Sequence, residues 1–444
     1  MNTSSPAVGI YTLGCKVNQY ESEAIAERFA SLGWRVASSN EVCDVYVINT
    51  CTVTAESDRK ARQFIRRAIH KNPSAYVLVT GCFSQTSPED VARIEGVDYI
   101  CGNSEKLSVV EEAIRLYQSG QKPHPPRVSC PPPDSCGFEK MCISHFGRTR
   151  AYIKIEDGCE SHCSYCIIPA ARGAIRSKAP TDVLDEVKAF TAGGCREIVL
   201  TGIETASYGK DLNGYGLADL LEEIDRIPDI GRIRLGSLDP SLFKQAFVDR
   251  IAKLKSLAPH FHLSMQSGSD KIIALMKRKY NRRMALDAIK RLREAIPNVQ
   301  FTTDMIVGFP EEGDAEFSDT LAFAEEAEFL MIHVFPYSKR KGTLAATMKG
   351  QVEESIKHER VRILSEHEKK IRNRILDGMI GQTVSVLFET DREGISFGHT
   401  PNFIEVACPT ELPLSGSVKT VIIDSHDGML CSGRLCCDNP TDKN

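Results

Sequence analysis

The 444-residue chain lacks any long hydrophobic run, although 42% of its residues are hydrophobic. No stretch approaches the ~18 uninterrupted apolar residues that a membrane-spanning helix requires, which excludes a transmembrane protein. Residues 1–6 are polar and lack the basic-then-apolar order of a signal peptide. We therefore expect a cytoplasmic protein.

An excess of one charge sign is also absent. The chain carries 55 Lys and Arg against 59 Asp and Glu, a net charge of −4, which does not by itself indicate a nucleic-acid-binding protein. Long internal repeats and heptads are missing as well. The apolar content is ample for packed cores, which excludes a disordered chain, and the length predicts two or three domains.

Cysteine is unusually abundant, with 16 residues. In a small secreted protein this number would indicate disulfides. In a long chain without an export signal, the expected roles are metal ligation, catalysis or burial as small apolar side chains. The spacing of the cysteines has to decide among these roles.

The predicted N-terminal domain, residues 1–118, alternates short β-branched runs with helical patterns. This alternation predicts a parallel α/β sheet with crossover helices. Residues 119–144 are Pro-rich and are typical of a linker. The predicted strands are residues 8–13, 44–50, 75–80 and 97–100, and predicted helices include residues 21–32 and 58–71.

A second alternating region, residues 145–376, contains six β/α units. Six units are too few for a closed barrel of eight strands and ~250 residues, so we expect an open, partial (β/α)6 barrel of the TIM type. The predicted strands are residues 151–155, 197–201, 232–237, 260–264, 299–306 and 329–335. The predicted helices are residues 181–192, 217–227, 284–295, 314–327 and 356–375.

Residues 377–441 form the third predicted domain. Short strands at 383–388, 403–406 and 417–423, separated by Gly, Pro and Asp, predict a small all-β barrel. The tail from residue 378 holds nine acidic and four basic residues, so it is poorly suited to gripping phosphates. We expect the main electrostatic contact with any RNA on the central domain.

Three cysteines stand in one loop directly after the first predicted barrel strand, in the run Gly158-Cys159-Glu-Ser-His-Cys163-Ser-Tyr165-Cys166. Zinc sites usually have four ligands in paired CxxC motifs, and no second pair lies nearby. Three thiolates can hold three irons of a [4Fe–4S] cube and leave the fourth iron open for chemistry. The loop also lies at the carboxyl end of a strand, the active face of β/α barrels. The spacing predicts a catalytic iron–sulfur site.

Cys15, Cys51 and Cys82 are far apart in sequence, but each directly follows a predicted parallel strand. The carboxyl ends of parallel strands share one edge of the sheet, so these thiols can converge there. Spacing alone leaves two readings open: a second cluster with an open iron, or cysteines buried at strand ends.

The loop motif, with Tyr165 before its last cysteine, resembles the signature of radical S-adenosylmethionine (SAM) enzymes. Most of the chain resembles the methylthiotransferase family within them. The similar N-terminal motifs are Gly14-Cys15-Lys-Val-Asn18-Gln, Asn49-Thr-Cys51-Thr-Val and Gly81-Cys82. The similar barrel motifs are Leu200-Thr-Gly202, Leu235-Gly-Ser237-Leu-Asp-Pro, His260-Phe-His262-Leu-Ser-Met-Gln266-Ser-Gly-Ser and Thr303-Asp304-Met-Ile-Val-Gly308-Phe-Pro310. The C-terminal module resembles the TRAM-type barrel, a small RNA-binding fold.

The resemblance implies two [4Fe–4S] clusters and SAM as cofactors. Cys159, Cys163 and Cys166 would hold the cluster that binds SAM and generates a 5′-deoxyadenosyl radical. Cys15, Cys51 and Cys82 would hold the auxiliary cluster that presents sulfur. Since the two triplets lie in separate predicted domains joined by a linker, we expect each domain to load its own cluster nearly independently.

The resemblance also implies tRNA as substrate and an external electron donor of the flavodoxin or ferredoxin kind. The motifs at residues 13–22 and 335–343 resemble those of enzymes that act on N6-threonylcarbamoyladenosine, the base just 3′ of the anticodon, and attach a methylthio group to its carbon 2. The alternatives are N6-isopentenyladenosine in tRNA, a ribosomal-protein aspartate, or a non-catalytic iron–sulfur electron carrier.

Further polar and glycine positions lie at strand ends of the barrel. We expect cofactor contacts from Tyr165, Gly202, Ser237, Gln266, Asp304 and Tyr337. Gly268 and Gly308, like Gly202, are further positions where a nucleoside could approach the backbone closely. The alternatives are buried structural roles for the polar residues and turns for the glycines. For RNA binding we expect Lys277, Arg278, Lys279 and Arg340, although most basic runs are solvated faces. Cys101 is predicted to be a bystander. Free thiols are expected at Cys130, Cys136, Cys142, Cys195, Cys408, Cys431, Cys436 and Cys437.

Overall fold

A computed structural model describes residues 5–144, 146–147 and 149–436. The described ranges omit residue 145, where the predicted barrel domain begins. They also omit residues 437–441, the end of the predicted third domain, and with them Cys437. Within the described ranges, no helix combines the length and the apolar character that crossing a bilayer would require.

The N-terminal domain is a six-stranded parallel sheet with helices on both faces, which confirms the predicted class. Its strands are β1 (Ala7–Thr12), β2 (Arg35–Ala37), β3 (Val45–Thr50), β4 (Tyr76–Gly81), β5 (Tyr99–Cys101) and β6 (Arg127–Ser129), in the order β2-β1-β3-β4-β5-β6. Its helices are α1 (Lys16–Ser31), α2 (Ala55–Lys71), α3 (Cys82–Thr86), α4 (Pro88–Ala92) and α5 (Ser108–Ser119). Every residue of β3 and β4 is buried, as expected for central strands of a doubly covered parallel sheet.

The sheet extends into the predicted linker. Strand β6 pairs in parallel with β5, with Cys101 opposite Ser129. The strand is only three residues long and is flanked by prolines, so its sequence carries no hydrophobic run that would indicate a strand. The N-terminal domain therefore continues past residue 118, and only the segment after Ser129 connects it to the barrel.

The central domain is an open barrel of parallel strands wrapped by helices. Its elements are β7 (Arg150–Lys154), β8 (Glu156–Asp157), α6 (Ile168–Arg172), β9 (Arg176–Ser177), α7 (Pro180–Ala192), β10 (Glu197–Thr201), α8 (Leu217–Asp225), β11 (Arg232–Leu235), α9 (Gln245–Ile251), β12 (His260–Gln266), α10 (Asp270–Leu275), α11 (Arg282–Ala295), β13 (Gln300–Val307), α12 (Asp314–Ala327) and β14 (Met331–Pro336). Six strands form the wall as two runs, β7-β10-β11 and β12-β13-β14, joined by a bridge between Leu238 and Leu263. Strands β7 and β14 are the open edges, so the partial barrel is as predicted.

The two faces of this wall differ in character. Alternate residues such as Ile198, Ile233 and Phe301 pack outward against the helices in the apolar core. The residues between them face the lumen, where they contact one another across strands. These lumen residues are charged or polar, whereas closed barrels are filled with branched apolar side chains. The lumen residues are Arg150, Glu197, Arg232, Arg234, His260, His262, Thr302, Asp304 and His333.

A long helix, α13 (Glu354–Asp377), leads to the C-terminal module. The module is a closed five-stranded barrel of β15 (Thr383–Arg392), β16 (Ile395–His399), β17 (Glu405–Pro409), β18 (Val418–His426) and β19 (Cys431–Leu435). The Phe403 ring, just before β17, stacks between His260 and His399 at centroid distances of 4.5 and 4.8 Å. The Arg234 guanidinium lies 4.9 Å from the same ring. The module thus closes the amino-terminal end of the central lumen.

Candidate active site

The three loop cysteines lie at the carboxyl end of the barrel wall, directly after β8. Gly158 enters the loop at φ +93°, and a β-carbon there would lie 1.9 Å from the carbonyl oxygen of Ala174, so the turn requires glycine. The Cys159 N–H donates to the carbonyl of Gly173 at 2.9 Å and pins the loop to the segment after α6. The fold therefore fixes the position of the first cysteine.

The three loop cysteines line one cavity of about 140 Å³. Its wall also includes predicted cofactor residues from three different segments. The lining residues that were predicted as cluster ligands or cofactor contacts are Cys159, Cys163, Cys166, Tyr165, Ser237 and Gln266. The structure therefore brings half of the predicted cofactor residues to the predicted cluster site.

Each loop sulfur accepts a hydrogen bond. Backbone N–H groups donate to Cys159 Sγ (3.5 Å, from Ser161) and to Cys166 Sγ (3.4 Å, from Ile168). The Arg278 guanidinium donates to Cys163 Sγ at 3.3 Å. Donors of this kind favour the anionic sulfur that a metal ligand must become.

The thiols of Cys159 and Cys166 nevertheless have raised pKa values. Burial and the Glu204 carboxylate, whose Oε2 lies 3.2 Å from Sγ, raise the pKa of Cys159 to about 12. Burial raises the pKa of Cys166 to about 11. A metal bound by these two thiols would have to displace their protons, so its binding would depend on pH.

The second cysteine triplet converges at the carboxyl edge of the N-terminal sheet. A β-carbon on Gly14 would lie 2.9 Å from Cys51 Sγ, so the segment carrying Cys15 passes directly over Cys51. Burial raises the pKa of Cys51 to about 11, and Cys82 and Cys15 act on it in the same direction because their charges are close. The three strand-end cysteines therefore form one site.

Neither cysteine triplet is arranged to hold a single metal ion, but the donors of both suit an iron–sulfur cluster. Among the described residues, no three His, Cys, Asp or Glu side chains are arranged to hold one metal ion. In a [4Fe–4S] cube each thiolate binds its own iron, so the three sulfurs need not reach a common atom. The donor set of both triplets is all-sulfur, which is the set that such clusters use.

A buried charged network joins the two cysteine sites. The fully buried Arg172 on α6 donates from Nε to Cys82 Sγ at 3.3 Å and from Nη1 to Glu21 Oε1 at 2.6 Å. The same Nη1 lies 3.1 Å from the carboxylate of Asp157, two residues before Cys159. Lys154 of β7 also pairs with Glu21, at 2.8 Å. The two domains therefore share a buried charged interface, and nearly independent loading of the two clusters stays a prediction.

Three predicted cofactor residues lie outside this cavity. Gly202 lies against a buried carboxyl, because a β-carbon there would be 2.5 Å from Glu156 Oε2. Asp304 lies in the lumen, 3.2 Å from His262 Nε2. The Tyr337 ring is buried against Phe309.

Gly268 and Gly308 make close approaches to protein atoms. A β-carbon at Gly268 would lie 2.5 Å from Phe323, and one at Gly308 would lie 2.3 Å from Lys357. The structure thus explains both glycines by packing.

The predicted RNA-binding residues separate into two groups. Lys277 and Lys279 are exposed. Arg278 is nearly buried and pairs with Asp239 at 2.7 Å, besides its contact with Cys163. Its charge is already neutralised, so the prediction that it binds the RNA backbone is wrong.

Arg340 does not face RNA either. Its buried guanidinium pairs with Asp58 and Thr52 at the start of α2. The basic run at residues 339–341 therefore contributes this arginine to the contact between the N-terminal domain and the barrel. The prediction that Arg340 binds RNA is wrong for the same physical reason, a partner inside the protein.

Sequence reasoning missed two residues of the site, Glu204 and Arg172. Glu204 follows β10 and holds the loop through Ser161, whose hydroxyl donates to it at 2.9 Å. The role of Arg172 could not be predicted from the sequence, because its partners Cys82 and Glu21 lie in another domain. Its position shortly after the last loop cysteine is the one local signal that could have marked it.

Comparison with known proteins agrees with this geometry. Residues 153–324 match the Radical SAM superfamily, and residues 7–102 match a family described as Uncharacterized protein family UPF0004. The threonylcarbamoyladenosine tRNA methylthiotransferase MtaB of Bacillus subtilis (strain 168) is 37% identical over 94% of this chain and 93% of its own length. The tRNA-2-methylthio-N(6)-dimethylallyladenosine synthase of Staphylococcus haemolyticus (strain JCSC1435) is 36% identical over 86% of this chain and 74% of its own length.

The fold itself also has a solved counterpart. The radical S-adenosylmethionine methyltransferase TsrM from Kitasatospora setae superposes with a TM-score of 0.55 over 75% of each chain, at 16% identity. That likeness concerns the fold. The sequence relatives, which match almost the whole chain, establish the family. The chain belongs to the radical SAM methylthiotransferase family.

Proposed function

We propose that this protein attaches a methylthio group to carbon 2 of N6-threonylcarbamoyladenosine, 3′ to the anticodon of tRNA. The observation that carries the proposal is the juxtaposition of two three-cysteine sites, bridged by Arg172. The Bacillus subtilis relative named for this activity aligns over nearly its entire length. The dimethylallyladenosine synthase leaves about a quarter of its length unmatched.

As a member of its family, the protein uses SAM and [4Fe–4S] clusters. Cys159, Cys163 and Cys166 are proposed to hold the cluster that supplies the electron for cleavage of SAM to the 5′-deoxyadenosyl radical. Cys15, Cys51 and Cys82 are proposed to hold the auxiliary cluster that presents sulfur. This division suits the substrate, because carbon 2 of adenine has neither an acidic proton nor a leaving group for acid–base catalysis.

The chain's own residues position these components. Arg278 holds Cys163 through its sulfur and is itself fixed by Asp239. Ser237 and Gln266 line the cavity beside the loop and are proposed to contact SAM. Gln266 has φ +65°, an uncommon backbone conformation for a side-chain-bearing residue, at the end of β12. Such a conformation aims one strand-end side chain at a site that regular strand geometry would miss.

Three further features extend the proposal. The exposed Lys277 and Lys279 are proposed to contact the tRNA backbone. An external electron donor of the flavodoxin or ferredoxin kind and a cytoplasmic location are also proposed. The TRAM-type role of the C-terminal barrel stays a prediction.

Nucleoside mass spectrometry tests the function. In cells that lack this protein, tRNA that decodes lysine AAR codons should accumulate unthiolated N6-threonylcarbamoyladenosine, and the intact gene should restore the methylthio derivative. A gene carrying Cys159→Ala should not restore it. Loss of the methylthio group from isopentenyladenosine instead would contradict the substrate while leaving the chemistry intact.

A further inference from the structure

Lys16 occupies an unusual position. It is the first residue of α1 and directly follows the cluster ligand Cys15, yet its charge acts inside the central barrel. The charged groups that act on its ammonium group are Arg150, Arg234, Glu197 and Asp304, from four strands of the barrel wall. Glu21, further along α1, pairs with Lys154 of the edge strand β7 at 2.8 Å, so this helix packs against the open side of the wall. Since β7 and β14 are the open edges of that wall, α1 delivers Lys16 into the lumen through its open side.

Among the described residues, no carboxylate lies close enough to form an ion pair with Lys16, whose side chain is exposed. The nearby acids already have partners: Glu197 lies 2.7 Å from Arg234 and 3.4 Å from Arg232. Asp304 is engaged by His262 at 3.2 Å.

The lumen as a whole has an excess of positive groups. Four cations, Lys16, Arg150, Arg232 and Arg234, face Glu197 and Asp304. Arg150 has one further acidic partner, Glu389 of the C-terminal barrel, at 2.8 Å. In addition, the buried Nη1 of Arg234 has no hydrogen-bond acceptor among the described residues. A lumen with unpaired cations favours an anionic occupant.

His333 marks the same pocket on β14. Burial lowers the pKa of His333 despite the opposing effect of Asp304, and the neighbouring His262 and Lys16 lower it further. The imidazole is therefore neutral near pH 7 and offers hydrogen bonds without adding charge. Lys16 is the exposed cation of this pocket.

The substrate proposed above carries one anionic group on its base, the threonyl carboxylate. The isopentenyl group of the alternative substrate carries none. We propose that the Lys16 ammonium binds this carboxylate and is a specificity-determining residue of the enzyme. This inference rests on the proposed function, because it assigns a residue to a feature of that substrate.

The placement has a mechanistic consequence. One peptide bond separates Lys16 from Cys15, a proposed ligand of the sulfur-presenting cluster. The residue that recognises the carboxylate is therefore fixed to the site that presents sulfur. A base lacking the carboxylate loses both its charge partner and its alignment with the auxiliary site.

Binding of modified anticodon stem-loop RNAs tests the inference. Two RNAs of identical sequence carry either N6-threonylcarbamoyladenosine or its neutral methyl ester. Wild-type protein should bind the acid at least about tenfold more tightly than the ester, because a site built around a polar partner rejects the analogue lacking it. Lys16→Met and Lys16→Gln should each reduce this ratio below about twofold, and Lys16→Arg should keep most of it.

Lys253→Met is the matched control, since this exposed lysine follows α9 in the outer helical layer. Its acid-to-ester ratio should equal that of the wild type. Because each ratio is measured on a single preparation, partial loss of folded or cluster-loaded protein cancels. An unchanged ratio in both Lys16→Met and Lys16→Gln overturns the inference.

The outcomes also separate this inference from the proposed function. If wild-type protein methylthiolates the acid RNA but binds acid and ester equally, the role of Lys16 is wrong and the function stands. If wild-type protein methylthiolates an isopentenyladenosine stem-loop and leaves the acid RNA unmodified, the proposed substrate is wrong, and the Lys16 inference fails with it.

Discussion

Arg172 donates its Nε–H to the sulfur of Cys82 at 3.3 Å, across a sequence separation of 90 residues and a domain boundary. The same guanidinium pairs with Asp157 beside the loop that is proposed to generate the radical. One side chain therefore contacts the ligand of one proposed cluster and the support of the other. Substitution of Arg172 itself is therefore expected to affect both sites.

Removal of this guanidinium should destabilise the protein strongly. In Arg172→Met, the buried Glu21 keeps only lysine partners, and the buried Asp157 keeps Lys154 at 2.6 Å and the more distant Arg176 at 3.8 Å. Breaking a buried ion-pair network costs about 3–5 kcal/mol of unfolding free energy. Denaturant unfolding of the variant should show a loss of this size.

The exposed pair of Arg59 and Glu56 on α2 offers the control. Arg59→Met should leave the unfolding midpoint almost unchanged, because exposed ion pairs contribute little. Equal effects of Arg172→Met and Arg59→Met would show that the interdomain network is not a stability determinant.

The network also predicts an acid-sensitive fold. Although burial raises the pKa of Glu21, Arg172, Lys106 and Lys154 together hold it well below its ordinary value of 4.5. In the unfolded chain the carboxyl titrates near that ordinary value, so its stabilising contribution is complete above about pH 4.5 and is lost as pH falls further. Unfolding free energy measured downward from pH 6 should therefore fall more steeply for wild type than for Glu21→Gln. Parallel curves would contradict this account.

The two cysteine sites should divide the chemistry between them. Cys159→Ala should lose about half of the reconstituted iron and all formation of 5′-deoxyadenosine. Cys51→Ala should also lose about half of the iron, yet still cleave SAM without attaching sulfur to tRNA. Iron, 5′-deoxyadenosine and thiolated nucleoside are measured on the same preparations.

Cys136→Ala is the control for these variants, because Cys136 belongs to neither site and should leave all three measurements unchanged. If Cys51→Ala abolished SAM cleavage while keeping the loop cluster, the N-terminal site would be part of radical generation. Arg172 is the contact through which that result would be explained.

The exposed lysines of the loop before α11 should contribute to the salt dependence of tRNA binding. Replacing Lys277 and Lys279 with Ala should reduce the slope of log affinity against log salt by ~0.7–0.9 for each lost phosphate contact. The iron content should not change. Arg278→Ala should instead disturb the loop site, because Arg278 holds Cys163. An unchanged slope in the double variant would place the RNA elsewhere.

Much of the fold was predictable because its signals are local. The strand β10 matches its predicted bounds, and β7, β12 and β13 differ by one or two residues, since each is a short apolar-alternating run. The cysteine sites were predictable from local signals as well: the loop cysteines stand close together after β8, and Cys15, Cys51 and Cys82 follow parallel strands, which end at one edge of the sheet. Short strands without an apolar run, such as β6, gave no such signal.

The rest depended on contacts between distant segments. Arg278 and Arg340 stand in basic runs typical of RNA contacts, but each is neutralised by an acid from elsewhere in the chain, Asp239 and Asp58. The interdomain role of Arg172 and the reach of Lys16 into the lumen have the same origin. A single sequence shows charges but not which of them meet.

The buried carboxylate of Glu21 also sets an order of events during synthesis. Its partners Lys106, Lys154 and Arg172 lie 85, 133 and 151 residues further along the chain. Because synthesis proceeds from the amino terminus, the N-terminal sheet emerges from the ribosome well before its last two charge partners exist. We expect the cysteine edge of that sheet to reach its final form only after α6 has been translated. Insertion of the auxiliary cluster would then be a late step in the life of the nascent chain.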